Sequence, residues 1–142
     1  MPSTMSQLLA ILYRSEALMP QCGVKEQRMM DLSRMDNIPR HITGFLHREN
    51  DIYYQWLEGY ADTVDDLFAK IMADTRHSDV TVLSRHEIAE RSFPGWSMGY
   101  GNTTRFSLFD WAVRHDIPLH PPRPEDILAF MTYCAGQAQS AR

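Results

Sequence analysis

The segment Tyr-Tyr-Gln-Trp-Leu-Glu-Gly, residues 53–59, sets a primary amide inside a run that otherwise reads as a buried strand. Gln55 brings two N–H donors and an oxygen with two lone pairs, and leaving such groups unpartnered in an apolar setting costs about 1–3 kcal/mol. By strand alternation it shares a face with Tyr53 and Leu57, while Tyr54 and Trp56 look the other way. Tyr13 ends an earlier apolar run on the same side, Asn37 closes the first helix, and Trp96 and Met98 share one face of a short last strand. A phenol, two amides, an indole and a thioether are therefore expected to meet at one end of a sheet. A planar heteroaromatic ligand, its edge alternating donors and acceptors, would satisfy both amides and slot its ring among apolar helices. Each residue also has an ordinary structural use: Tyr13 and Trp96 as core, Asn37 as a helix C-terminal residue, Gln55 bonded to nearby backbone. Residue types alone leave both uses open.

The elements that must position these groups follow from hydrophobic period. Residues 7–13 are apolar on both alternating sets, Leu9, Ile11 and Tyr13 against Leu8, Ala10 and Leu12, as in a strand covered on both faces. Residues 24–37 have helix-forming composition with Met29, Leu32 and Ser33 on one face, halting at Asn37 ahead of Pro39. Residues 41–47 and 52–58 form a hairpin, and Gly59 breaks its second strand. Asp62 caps a helix whose Val64, Leu67, Phe68 and Ile71 follow the i, i+3, i+4, i+7 pattern, with Arg76 and His77 at its C-terminal end. Strands at 79–89 and 95–100 follow. This β-α-β-β-α-β-β order predicts an α+β, ferredoxin-like sheet with two helices on one face and one strand added. Two tail helices, at 105–116 and from Pro124 onward with Ile127, Leu128, Met131 and Cys134 inward, are left to cover the other face.

Composition narrows the partners. A chain of 142 residues with 44% hydrophobic and 23% charged residues suits one domain with a sizeable core. A net charge of −4 without a basic stripe argues against nucleic acid, and no apolar stretch reaches the ~20 residues that span a bilayer. The opening residues lack the basic region and cleavage site of a signal peptide. Cys22 and Cys134 make no disulfide framework, and the six histidines show no metal-ligand spacing, so a reduced, cytoplasmic, metal-free protein is expected.

Five stretches taken together are more specific: LYRS (12–15), Asn37 six residues before the Thr of ITG (42–44), QWLEG (55–59), DTRHSDV (74–80) and RSFPGWSMGY (91–100). In order and spacing the chain resembles the BLUF family, blue-light sensors that use a flavin. The resemblance covers residues 7–100, and the tail is similar to the helical extension of short, single-domain members. It implies a flavin-binding unit at 1–100 and a two-helix extension at 101–142 within the same structural unit.

What the resemblance implies for individual residues can be carried over by position. Tyr13 matches the photochemical electron donor, Gln55 the switching glutamine, and Asn37 the asparagine on the flavin's pyrimidine edge. Trp96 and Met98 match the mobile pair that relays the signal. Arg76 and His77 match the rim where the ribityl chain leaves, Ile42 and Ile71 apolar residues against the ring, and Ser33 a first-helix serine. Asp36 and Ile38 depart from the pattern, standing where some members carry a histidine and a second asparagine. The implied cofactor is FAD, with FMN as the other option. The implied protein turns over no substrate, forms homo-oligomers and signals to a partner protein. Two competing readings are a small hydrolase on the same fold, for which the stretch after Arg14 offers no glycine-rich anion cradle, and a ligand-free dimerisation module.

Overall fold

A computed structural model describes residues 7–75, 77–119 and 122–138. The first strand, β1 (Leu8–Ala17), is followed by α1 (Val24–Arg40), the hairpin β2 (Thr43–Glu49) and β3 (Ile52–Tyr60), α2 (Ala61–Met72), β4 (His77–Ile88), β5 (Gly99–Asn102), α3 (Leu108–Arg114) and α4 (Pro124–Ala138). The sheet order is β4-β1-β3-β2-β5, with β1 antiparallel to β3 and β4, β2 antiparallel to β3, and β5 added parallel to β2. This is the α+β, ferredoxin-like arrangement that the element order predicts. Among the described residues no helix is long and apolar enough to cross a membrane.

The double apolar pattern of β1 has its cause in two cores. Leu9, Ile11 and Tyr13 pack with Leu57 of β3, Met30 of α1 and Val64 and Phe68 of α2. Ala10 and Leu12 pack on the opposite side with Phe45, Trp56 and the tail residues Leu108, Ile127, Phe130, Met131 and Cys134. Trp56 is 2% exposed, and burying an indole of that size contributes on the order of 2–3 kcal/mol. The sheet is thus one layer of three, with α1 and α2 on one face and α3 and α4 on the other. Cys134 is buried and Cys22 exposed, and both are free thiols.

Several expectations need correction. α1 does not halt at Asn37 but runs through Pro39 to Arg40 and closes at His41, whose φ is 55°. The carbonyl that Pro39 leaves without its usual donor is that of Met35, on the exposed side of the last turn, so the proline costs little there. Asn37 consequently lies inside the helix with its side chain buried. Leu32 is exposed, and the inward face is instead Glu26, Met29, Met30, Ser33 and Asn37. A face this polar makes α1 weakly amphipathic beside α2, because it covers a cleft and not a sealed core.

Gly59 does not break β3; it pairs with Leu9 inside the strand. A Cβ there would stand 3.1 Å from His41 O and 3.4 Å from Val64 Cγ2, so glycine admits a close approach of chain and helix. α2 starts at Ala61 with no side-chain cap, and Asp62 sits in its first turn. His77 does not end α2 but opens β4, and Arg76 lies outside the described residues. The last strand is 99–102 instead of 95–100, and α3 is shorter than 105–116.

Candidate functional site

Between α1 and the last turns of α2, over β1 and β3, lies a cleft of about 220 Å³. Its floor comes from the strands, with Tyr13 directly opposite Gln55 in the β1/β3 pairing and Leu46 opposite Gln55 on β2. Met30, Ser33 and Asn37 line it from α1, Leu67 and Ile71 from α2, and His77 from the start of β4. The mixture of apolar walls and a few polar groups is that of a small-molecule site.

Gln55 is 8% exposed, and its partners answer the question its sequence position raises. The Tyr13 hydroxyl donates to Gln55 Oε1, while Gln55 Nε2 donates to Met98 Sδ at 3.3 Å. Thioether sulfur is a weak acceptor, and one N–H and one lone pair of the amide have no partner among the described residues. Asn37 Nδ2 donates to Ser97 O at 2.7 Å, which leaves Asn37 Oδ1 as the end available to a ligand. The two amides present a donor and an acceptor toward the same cleft, the complement of a heteroaromatic edge.

Burial, with Asp74 and Tyr53 nearby adding to it, pushes the Tyr13 hydroxyl far above the ordinary phenol range. Tyr13 is therefore a neutral phenol at every physiological pH. If it loses an electron it must also lose its proton, and the acceptor already bonded to it is Gln55 Oε1. Around it, Phe68 lies at a ring distance of 5.4 Å and His77 edge-on at 6.2 Å. His77 Nε2 bonds Ile71 O at 2.7 Å and Nδ1 bonds Ser15 Oγ at 2.9 Å. A carbonyl only accepts, so Nε2 carries the proton. His77 thus closes the end of α2 from the next strand, in contact with that helix although it is no part of it.

Trp96 and Met98 do not share a strand face. Both precede β5, and the sheet edge separates them: Met98 packs in the cleft layer, whereas the Trp96 ring lies 6.4 Å from Phe45 in the tail layer. The segment between them is held by three carbonyls. Gly44 N–H donates to Trp96 O (3.1 Å), Asn37 to Ser97 O, and Arg34 Nε to Met98 O (2.9 Å). Gly44 is required there, because a Cβ would fall 1.9 Å from Trp56 O. Non-local hydrogen bonds, one from backbone and two from side chains and all invisible to a period-2 pattern, hold the segment in place of the expected strand.

Of the expected site residues, the structure brings Tyr13, Ser33, Asn37, Gln55, Ile71 and His77 to the cleft lining, with Met98 behind Gln55. Ile42 is buried but does not line the cleft, and Trp96 faces the other layer. Two cations that sequence reasoning missed, Arg40 and the exposed Lys70, stand at the rim. The signal for them was weak, each being a basic residue in the last turn of its helix. Ile38 is exposed, and Asp36 lines the rim from outside. Among the described residues no group of three or more His, Cys, Asp or Glu could hold a metal ion.

The tail is fastened to β2 by one carboxylate. Glu49 accepts from Leu108 N–H (2.8 Å) and Phe109 N–H (3.0 Å) at the start of α3 and from His47 Nε2 at 2.7 Å. Burial pushes Glu49 upward, but these bonds outweigh it and hold its carboxyl below the usual range. A depressed carboxyl stabilises the fold above its unfolded value of about 4.3 and loses that contribution as pH falls through the folded value. The protection of amides 108–114, taken against the intrinsic exchange rate at the same pH, is thus expected to fall as pH drops below about 4.3. In Glu49→Gln it should already be low at neutral pH and less sensitive to acid. Equal protection in both proteins at pH 7 would remove Glu49 as the fastening.

A cleft over a ferredoxin-like sheet, with a phenol bonded to one amide, a second amide beside it and cations at the mouth, defines a binder of a planar heteroaromatic ligand with an anionic tail. Comparison with known proteins agrees. The family model for BLUF, sensors of blue-light using FAD, matches residues 8–99. The chain belongs to the BLUF family, and its fold and cleft are those of a flavin-based blue-light photoreceptor. The photoactivated adenylate cyclase subunit beta of Euglena gracilis is 33% identical over 92 residues, 64% of this chain and 11% of that protein. The chain therefore spans about a tenth of the length of the curated relatives it matches. The dark-state structure of BlrB, a BLUF protein, superposes with a TM-score of 0.78 at 30% identity, covering 93% of this chain and 98% of the other. Klebsiella pneumoniae BlrP1, solved with FMN and cyclic diGMP, superposes at 0.68 with 27% identity, covering 91% of this chain and 35% of that one.

Proposed function

We propose that this chain senses blue light through FAD held between α1 and α2, with Tyr13 as the electron and proton donor and Gln55 as the switch. The observation that carries this reading is the chain of contacts from the Tyr13 hydroxyl through Gln55 to Met98. A flavin excited by blue light supplies a strong one-electron oxidant. Tyr13 would give up an electron to that oxidant, and its proton would follow the existing bond to Gln55 Oε1 while Gln55 Nε2 passes a proton on to the reduced ligand; return of one electron and one proton to the phenol would leave the amide rearranged. The amide then turns over or tautomerises, which costs little packing because its two ends are of nearly equal size. Gln55 comes to donate where it had accepted, and the altered hydrogen bond shifts the absorption to the red.

Asn37 Oδ1 and the free N–H of Gln55 fit the pyrimidine edge, Ser33 and Ile71 the ring walls, and His77 the side of Tyr13. Ile42 backs the wall from behind. Arg40 and Lys70, with Arg76 just before β4, suit a ribityl phosphate. FAD is favoured by the family description, and identifying the cofactor released from denatured protein separates it from FMN. Purified protein should be yellow, and its absorption should shift reversibly to the red under blue light; a colourless chain that takes up no flavin, or a coloured one indifferent to light, sinks the reading.

The sensor turns over no substrate itself. Gln55 reports to Met98, Met98 lies two residues from Trp96, and Trp96 packs in the layer of the tail. The segment 96–98 thus has a foot in each layer, and light biases its two arrangements. The tail reads that bias and passes it to a partner protein, within a homo-oligomer built through the tail or a sheet edge. Met98→Ala is expected to keep the red shift while losing the light-dependent change in amide exchange over 108–138. If that change persists, the relay runs elsewhere.

A further inference from the structure

The cleft holds a second phenol. Tyr53 is 3% exposed, lines the cleft, and stands opposite Ser15 in the β1/β3 pairing, two positions along β3 from Gln55. That spacing is about 7 Å along the strand. Its hydroxyl donates to Glu26 Oε2 at 2.5 Å. Glu26, in the first turn of α1, is itself buried and accepts further from Arg48 Nη1 at 2.6 Å, from Cys22 N–H at 3.3 Å and from the Tyr100 hydroxyl. Burial pushes the Glu26 carboxyl upward, but these bonds outweigh it and hold it below the usual range, so it is an anion whose oxygens already point at the phenol. The indoles of Trp56 and Trp96 belong to the other layer, so among the described residues Tyr13 and Tyr53 are the two phenols or indoles lining the cleft.

We propose that Tyr53 is a second electron donor to the light-excited flavin, with Glu26 as its proton acceptor, competing with Tyr13 and yielding no signal. This rests on the flavin reading above. One electron passes from Tyr53 to the flavin; the phenol O–H bond breaks and its proton moves along the existing bond to Glu26 Oε2. The products on the protein are a neutral phenoxyl and a carboxylic acid. Return of the electron and of the proton restores the start. An oxidised phenol is a far stronger acid than any carboxylic acid, so even a carboxylate of depressed pKa suffices as the base. Arg48 lies 5.5 Å over the Tyr53 ring and makes loss of the electron harder, which leaves Tyr53 the slower of the two donors. The proton of Tyr13 goes to the switching amide, whereas the proton of Tyr53 goes to a carboxylate that Gln55 does not touch. The Tyr53 branch therefore drains excitation without turning the amide.

The test is the fluorescence decay of the bound flavin in the full chain, read together with the yield of the red-shifted state. In Tyr13→Phe the decay should lengthen yet remain quenched, and adding Tyr53→Phe should lengthen it several-fold more. Tyr53→Phe alone should raise the yield of the red-shifted state. Glu26→Gln in the Tyr13→Phe background should lengthen the decay as Tyr53→Phe does; should that variant fold poorly, Tyr53→Phe still leaves Glu26 its three other donors. If the double variant decays like Tyr13→Phe, the Tyr53 branch does not exist, even though a wild-type shift in the same preparation would leave the photoreceptor reading standing. A wild type that binds no flavin overturns both.

Discussion

Tyr13→Phe is expected to leave the flavin bound and the protein yellow while abolishing the red shift under blue light. Phenylalanine keeps the ring that packs 5.4 Å from Phe68 but removes the hydroxyl that donates to Gln55. The structural cost is limited: Gln55 Oε1 loses one partner in a buried setting, about 1–3 kcal/mol, and it still has ligand groups to face. The photochemical cost is total, because benzene gives up neither an electron nor a proton on these terms. Burial keeps Tyr13 fully protonated, so no change of pH within the stable range should substitute for the variant. Absorption difference spectra before and after illumination check this, and a normal shift in Tyr13→Phe would remove Tyr13 from the pathway.

Gln55→Leu should also lose the red shift, for a different reason. Leucine is close to glutamine in volume and would sit among Leu46, Leu57 and Met98, so the fold should hold. The Tyr13 hydroxyl, however, is left in a buried site without its acceptor. Losing the amide's bond to the ligand should weaken flavin affinity by up to about tenfold, the equivalent of one hydrogen bond. With the acceptor of its proton gone, Tyr13 should give up its electron more slowly, so flavin fluorescence should rise in Gln55→Leu as well as in Tyr13→Phe. Flavin affinity separates the two, weakened in Gln55→Leu and kept in Tyr13→Phe. Gln55→Leu with a normal shift would mean that another group rearranges.

The segment 53–59 carried much of the answer by itself. Its alternation put Gln55 on the face of Tyr53 and Leu57, and the paired apolar sets of β1 required cover on both faces of the sheet, which α1, α2 and the tail provide. Period and punctuation are local, so they are readable wherever local order agrees with the fold. Pro39, Gly59 and residues 95–98 misled for a common reason. Each depends on surroundings that a local pattern does not carry: an exposed last turn that tolerates proline, a helix pressed onto glycine, and three carbonyls caught by Gly44, Asn37 and Arg34.

Sequence alone determined the fold class, the family and the placing of Tyr13 and Gln55 toward one side of the sheet, because these follow from residue types, spacing and the twofold period of strands. Only the tertiary structure decided that Met98 rather than Trp96 meets the amide, that Arg40 and Lys70 hold the rim, and that Glu26 stands behind Tyr53. Those relations join residues tens of positions apart, and their energy lies in side-chain bonds and desolvation that exist only once the layers have closed.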